Sequence, residues 1–260
     1  MSRRLLSAAP ILIAGLALLA ARPGPSPIPE SSRQLILVTT PDWTATDGTL
    51  QRYERRAGGP WTPVGRGTPV VVGRSGLGWG RGLHGRQDGP QKREGDGRAP
   101  AGVFRLPAAF GYADRVETGL PYLASHASTQ CVDDVDSRSY GLVLDSAAVA
   151  DADWVSRERM RRDDALYQLG VVVAHNGPGV AETLLSGLPT SETDPGGGSC
   201  IFLHVWRGAG TSTAGCTAGP EGALASTLAW LDADADPVLV QLPAAQRALL
   251  GEMWGLPVES

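Results

Sequence analysis

Glycine and proline set the first limit on what this chain can become. With Gly 34 and Pro 20 among its 260 residues, they interrupt nearly every apolar run. One adds backbone freedom and the other removes an N–H, so both shorten regular elements. The pattern predicts many short strands rather than long helices: a mainly β fold with a few short helices, as a single domain over residues 34–260. The densest stretch runs from Gly73 to Gly97. It lacks the glycine spacing of a phosphate or dinucleotide loop between a strand and a helix, and suits a loop lying close to a ligand or to other backbone. A net charge of −4 argues against a nucleic-acid partner.

Taken in order, residues 34–40 read as a strand, and Asp47-Gly48 reads as the turn of a hairpin between Trp43 and Tyr53. Short strands are expected at 61–64, 70–72 and 103–106. A helix capped by Asp145 is expected to run through Trp154, Glu158 and Met160 to about Leu166, with Trp154 and Met160 as packing groups. Cys131 to Asp136 lacks the glycine and glutamate of a calcium loop. A buried strand follows at 169–173, then a long polar loop from Pro178 to Gly197, a strand at 200–205 and a helix at 220–232 with Pro220 in its first turn. Leu224, Leu228 and Leu231 share one face of that helix. A last strand at 237–242 and a short helix at 244–254 close the chain.

The N-terminus has the form of a secretory signal: Arg3 and Arg4, an apolar run from Ile11 to Ala21, then Pro23. Residues 1–21 are therefore expected to direct export to the periplasm or cell envelope, with membrane association before cleavage, and 22–33 to form a Pro/Ser-rich linker. In an oxidising compartment, three cysteines suggest one pair and one leftover thiol. The count alone does not say which is left over. The setting of Cys216 looks catalytic, which leaves Cys131 and Cys200 to pair.

His204 ends an apolar run, and twelve residues later Gly215 precedes Cys216. A thiol becomes a strong nucleophile as a thiolate, and an imidazole can take its proton and return it to a leaving amine. Gly215 would let the backbone turn sharply and aim N–H groups at an oxyanion, and the N-terminus of the following helix would favour negative charge on sulfur. Such a set fits acyl transfer through a thioester. A zinc site built from Cys200, His204 and Cys216 lacks paired C-x-x-C ligands.

These stretches together resemble the YkuD-like L,D-transpeptidase catalytic domain of bacterial cell-wall enzymes. The resemblance rests on His204 with Thr213-Ala214-Gly215-Cys216, and on Lys92, Glu94, Gly95, Asp96, Gly97, Pro100, Gly102 and Phe104, with Ala99 where threonine is common. It covers residues 85–243. It implies a β-sandwich or barrel catalytic fold, Cys216 as nucleophile, His204 as general base and Gly215 at the oxyanion site. Peptidoglycan stem peptides would be the substrate, with no metal or organic cofactor. Lys92, Asp96, Thr213 and Arg207 are expected on the substrate. The sequence departs from the family where Thr217-Ala218 replace an arginine or asparagine after the cysteine, and where Ala214 replaces a second histidine. With water as acceptor the same acyl-enzyme gives a carboxypeptidase or endopeptidase. Without chemistry, the groove gives a peptidoglycan-binding envelope protein.

Overall fold

A computed structural model describes residues 25–179 and 193–258. The expected signal segment 1–21, and most of the loop expected at 178–197, lie outside the described residues. The fold is mainly β: eleven strands form one large curled mixed sheet and three form a small antiparallel one. Near the middle of the large sheet runs β1 (Gln34–Thr40), parallel to β14 (Val238–Pro243) and antiparallel to β2 (Asp47–Glu54). Leu35, Ile36, Leu37 and Val38 are all buried, which explains an uninterrupted apolar run where a one-faced strand would alternate. Beyond β14 lie β5 (Ala99–Arg105) and β4 (Leu77–Trp79). Beyond β2 the order is β3 (Thr62–Val71), β13 (Thr217–Gly219), β12 (Phe202–Val205), β11 (Leu169–Val172), β6 (Ala109–Gly111) and β7 (Tyr122–Ala124). The small sheet is β10 (Arg157–Arg159), β8 (Thr129–Val132) and β9 (Val143–Asp145).

Alternation along β6, β11 and β12 sorts their side chains into two cores. Ala109, Val171 and Leu203 face the main core, with Ile36 and Val240. Phe110, Val172 and Phe202 face the small sheet, where they meet Cys131, Val143, Met160, Tyr167 and Cys216. In this second core Phe110 and Phe202 pack edge-on at 5.1 Å, and Tyr167 meets Phe202 at 5.5 Å. Helix α1 (Glu221–Trp230) lies against β11 and β12 with Leu224 and Leu228 buried, and Leu231 is buried just beyond it. Pro220 stands at its N-cap. Helix α2 (Ala244–Trp254) covers β14 and β1, and ends at Gly255 in the left-handed region.

Four expectations change. The helix from Asp145 to Leu166 does not form; Asp145 caps only the single turn 146–148. Local carboxylate bonds compete with the helix: Asp134 takes the Val155 N–H, and the Asp153 side chain is held by Ser137 and Arg138. Glu158 and Met160 then point inward from a strand while Arg157 and Arg159 stay exposed. Asp47-Gly48 opens β2 and is not the hairpin turn; the chain reverses at 41–46, where Asp42 accepts from the Thr44 and Ala45 N–H groups. The strands expected at 61–64 and 70–72 merge into β3, across from a bulge near Arg52. Finally, residues 25–33 pack on the domain: Ile28 and Ser32 are buried, and Ser26 donates to the Trp254 carbonyl at 2.7 Å. The glycine-dense stretch, apart from β4, is a loop pressed on other backbone; a Cβ on Gly73 would stand 2.3 Å from the Gly97 carbonyl oxygen.

Candidate active site

The turn that presents Cys216 is tied down from two sides. Thr213 exchanges backbone hydrogen bonds with Val72 and Arg74, anchoring the turn beside β3. Its Oγ1 donates to the Cys216 carbonyl at 2.6 Å and accepts the Gly215 N–H at 3.1 Å. The Gly215 N–H is thus engaged within the turn, which differs from the expected aim at an oxyanion. Nor is Gly215 left-handed. A side chain there would be tight, because a Cβ would lie 3.1 Å from the Arg98 carbonyl oxygen.

Cys216 Sγ accepts the Phe202 N–H at 3.3 Å and donates to the Cys200 carbonyl at 3.4 Å. It is the one free cysteine among the described residues, and it is buried. Burial, reinforced by the charge of Glu158, pushes the thiol up to about 12, against the opposing Phe202 N–H, Lys92 and Tyr167. The helix start that follows was expected to favour a thiolate; desolvation outweighs it, and the resting group is a thiol.

His204 pairs with Ala218 across β12 and β13, which puts its side chain on the same sheet face as Cys216. Its Nδ1 lies 2.8 Å from the Val205 carbonyl, so Nδ1 carries the proton and Nε2 the lone pair. Burial pulls the imidazole down to about 4, opposed by the hydrogen bond to the Val205 carbonyl. No hydrogen bond joins His204 to Cys216 among the described residues. Tyr167 stands edge-on to His204, ring centroids 5.1 Å apart, and is packed in the same buried cluster as Cys216. Its hydroxyl donates to Glu158 Oε1 at 2.6 Å.

Glu158 is brought there by the small sheet. It sits opposite Cys131 in the β10–β8 pair, and Cys131 is joined to Cys200 by a disulfide with Cα atoms 5.9 Å apart. Cys200, held at φ 53°, offers the carbonyl that receives the Cys216 thiol. Half-buried Glu158 has its carboxyl pushed upward by desolvation, against the Tyr167 bond and Arg162, whose guanidinium lies 3.8 Å away. With Cys200 consumed in the disulfide, the zinc triad weighed from sequence is not assembled; among the described residues no group of three His, Cys, Asp or Glu is placed to hold a metal.

Cys216, His204, Tyr167, Glu158, Cys200 and Thr213 line one cleft of about 710 Å³, which Arg74, Arg207, Glu94 and Ser199 also border. Of the expected substrate groups, Thr213, Lys92 and Arg207 reach the cleft and Asp96 does not. Lys92 is buried, and its ammonium donates to the Arg93 carbonyl and to Asp96. Asp96 also accepts the Arg93 and Arg98 N–H groups, so this pair shapes its own loop. Arg207 is open at the cleft margin, 3.9 Å from Asp164. Buried Tyr140 and Ser199 both donate from their hydroxyls to Glu94 Oε2 at 2.6 Å, which ties the cleft residues Glu94 and Ser199 together. Glu158 and Tyr167 were not singled out from sequence as site residues. The signal lay in the alternation Glu158, Met160 against Arg157, Arg159, which reads as a strand once helical spacing is set aside. No family model matches the chain, and no curated protein matches it.

Proposed function

We propose that this chain is an exported cysteine acyltransferase resembling the L,D-transpeptidases. Cys216 would attack the carbonyl of a peptidoglycan stem peptide and carry the acyl group as a thioester to an amine, with His204 as general base. The observation that carries the reading is the shared cleft: the free Cys216 thiol and a neutral imidazole with an unprotonated ring nitrogen face the same space, on adjacent strands. Catalytic hydrogen bonds often tighten only when substrate is bound, so the resting geometry suits a site awaiting its acyl donor. Arg207, exposed at the cleft margin and only loosely paired with Asp164, takes the place of the cation absent after the cysteine; Arg207→Ala should weaken acyl-donor binding, and unchanged binding would dismiss that role.

The test is intact-mass spectrometry of the protein with a carbapenem, beside Cys216→Ala. An adduct on the parent that is absent from the variant supports acyl transfer. The raised thiol favours one competitor, a non-catalytic protein that binds stem peptides in the same cleft. That reading is supported if folded protein binds stem peptide and takes no adduct.

A further inference from the structure

We propose that the outer face of α2, together with the turn at 55–61, is a docking face for a bilayer surface carrying anionic headgroups, used while segment 1–21 is still attached. The inference stands apart from the acyl-transfer reading, since none of these residues lines the cleft. A helix that covers a sheet ordinarily turns charged and polar residues to water. On α2 the outward face is apolar instead. Leu249 is 70% exposed, and Met253, one turn further along the same face, is 44% exposed. Glu252 is the single charged residue among the exposed positions of this helix. Val258, just beyond its end, is 91% exposed. Such a face is unfavourable in water and favourable at the boundary between headgroups and acyl chains.

The groups beside this face suit the same boundary. Trp61 donates its indole N–H to the Gly255 carbonyl at 2.9 Å, which sets a half-buried aromatic ring at the C-terminal end of α2. The Arg55 guanidinium lies over that ring at 4.2 Å, and Arg56 next to it is exposed. Indole rings settle at headgroup level, and arginines there meet lipid phosphates. Glu252 opposes them, so the preference for anionic lipid comes from the turn and the apolar contact from the helix.

The course of the chain selects lipid over a protein partner. Ser26 donates to the Trp254 carbonyl at 2.7 Å, so the N-terminal entry is fixed at the same end of α2. Arg55 donates to the Pro29 and Ser32 carbonyls, which ties the turn to that entry as well. The apolar run of the expected export segment ends at Ala21, five residues before Ser26. Five residues of fully extended backbone reach about 18 Å at most. A membrane that holds the export segment therefore holds the C-terminal end of α2 close to its surface, with Met253, Val258 and Trp61 within reach of it.

The experiment follows oxidation of Met253 by hydrogen peroxide, read as sulfoxide mass in its peptide. The full chain is compared dilute in buffer and reconstituted into vesicles. Peroxide is neutral and crosses lipid, so neither surface charge nor the side on which the domain sits limits the reagent. Met160, fully buried in the second core, reports an intact fold. On vesicles of phosphatidylglycerol and phosphatidylcholine, Met253 should oxidise roughly fivefold more slowly than in buffer, because a thioether seated in lipid loses contact with water. Vesicles of phosphatidylcholine alone should protect it less. The double variant Leu249→Glu with Val258→Glu alters two exposed side chains and spares the core. It should remain on the vesicles through segment 1–21 while its Met253 oxidises at the buffer rate. Met253 as reactive on vesicles as in buffer overturns the proposal, because the domain then hangs free of the surface. Protection already present in buffer overturns it in favour of a second copy or the chain's own segment as the cover. A double variant as protected as the parent, equal protection on neutral vesicles, or a full chain that stays off vesicles also overturns it.

Discussion

Thr213 uses one hydroxyl for two purposes, giving its proton to the Cys216 carbonyl and receiving the Gly215 N–H. Thr213→Val keeps the shape and loses both bonds. It is expected to cost about 1–3 kcal/mol in urea unfolding, since each bond contributes about 1 kcal/mol. Carbapenem acylation should slow in parallel, and Thr213→Ser should restore both. Gly215→Ala tests the other constraint on the turn. The added methyl must share space with the Arg98 carbonyl, where backbone lies on both sides of the contact. A loss of about 1–3 kcal/mol is expected, with acylation slowed because Cys216 is displaced; unchanged stability would show that the two backbones separate freely. At this scale the sequence was most readable for residue types. His204, Gly215 and Cys216 could be named because their chemistry announces itself, whereas Glu158 reaches the cleft through the pairing of β10 with β8, and its alternation was masked by an apparent helical spacing.

Elements tell a different story. β1, β11, β14 and both helices were legible because continuous apolar runs and leucine spacing follow directly from burial. The segment after Asp145 was not, because its outcome depends on Asp134 and Asp153 reaching it from outside and from within. The elements around the cleft also depend on a buried histidine. His175, following β11, donates from Nε2 to the Gly197 carbonyl at 3.0 Å and accepts the Arg81 N–H on Nδ1 at 3.2 Å. Burial pulls it down to about 3 from the ordinary 6.5. Because the folded value lies below the unfolded one, its neutral form is fully accommodated above pH 6.5. Stability is then lost as pH falls from 6.5 toward 3, as the unfolded chain binds the proton first. Denaturant titrations at pH 7, 5 and 4 should show a progressive loss of a few kcal/mol. His175→Gln should be less stable at pH 7 yet lose less on acidification.

For the whole molecule, the Cys131–Cys200 bridge is the covalent tie between the small sheet and the segment that leads into β12. It spans a sequence separation of 69 residues. Chain-entropy reasoning gives about 4 kcal/mol of stabilisation for a loop of that size. The paired variant Cys131→Ser with Cys200→Ser should unfold at correspondingly lower urea and should acylate more slowly, because Glu158 and the Cys200 carbonyl lose their common support. Equal acylation by bridged and unbridged protein would show that packing alone seats the cleft. The bridge also creates a conflict for whoever handles this protein. A thiol reductant that keeps Cys216 from oxidising is the same reagent that opens Cys131–Cys200, so protection of the free thiol and dismantling of its seat lie on one dose axis. Carbapenem acylation should climb and then collapse as reductant is added, with the best preparation in a narrow window between the two.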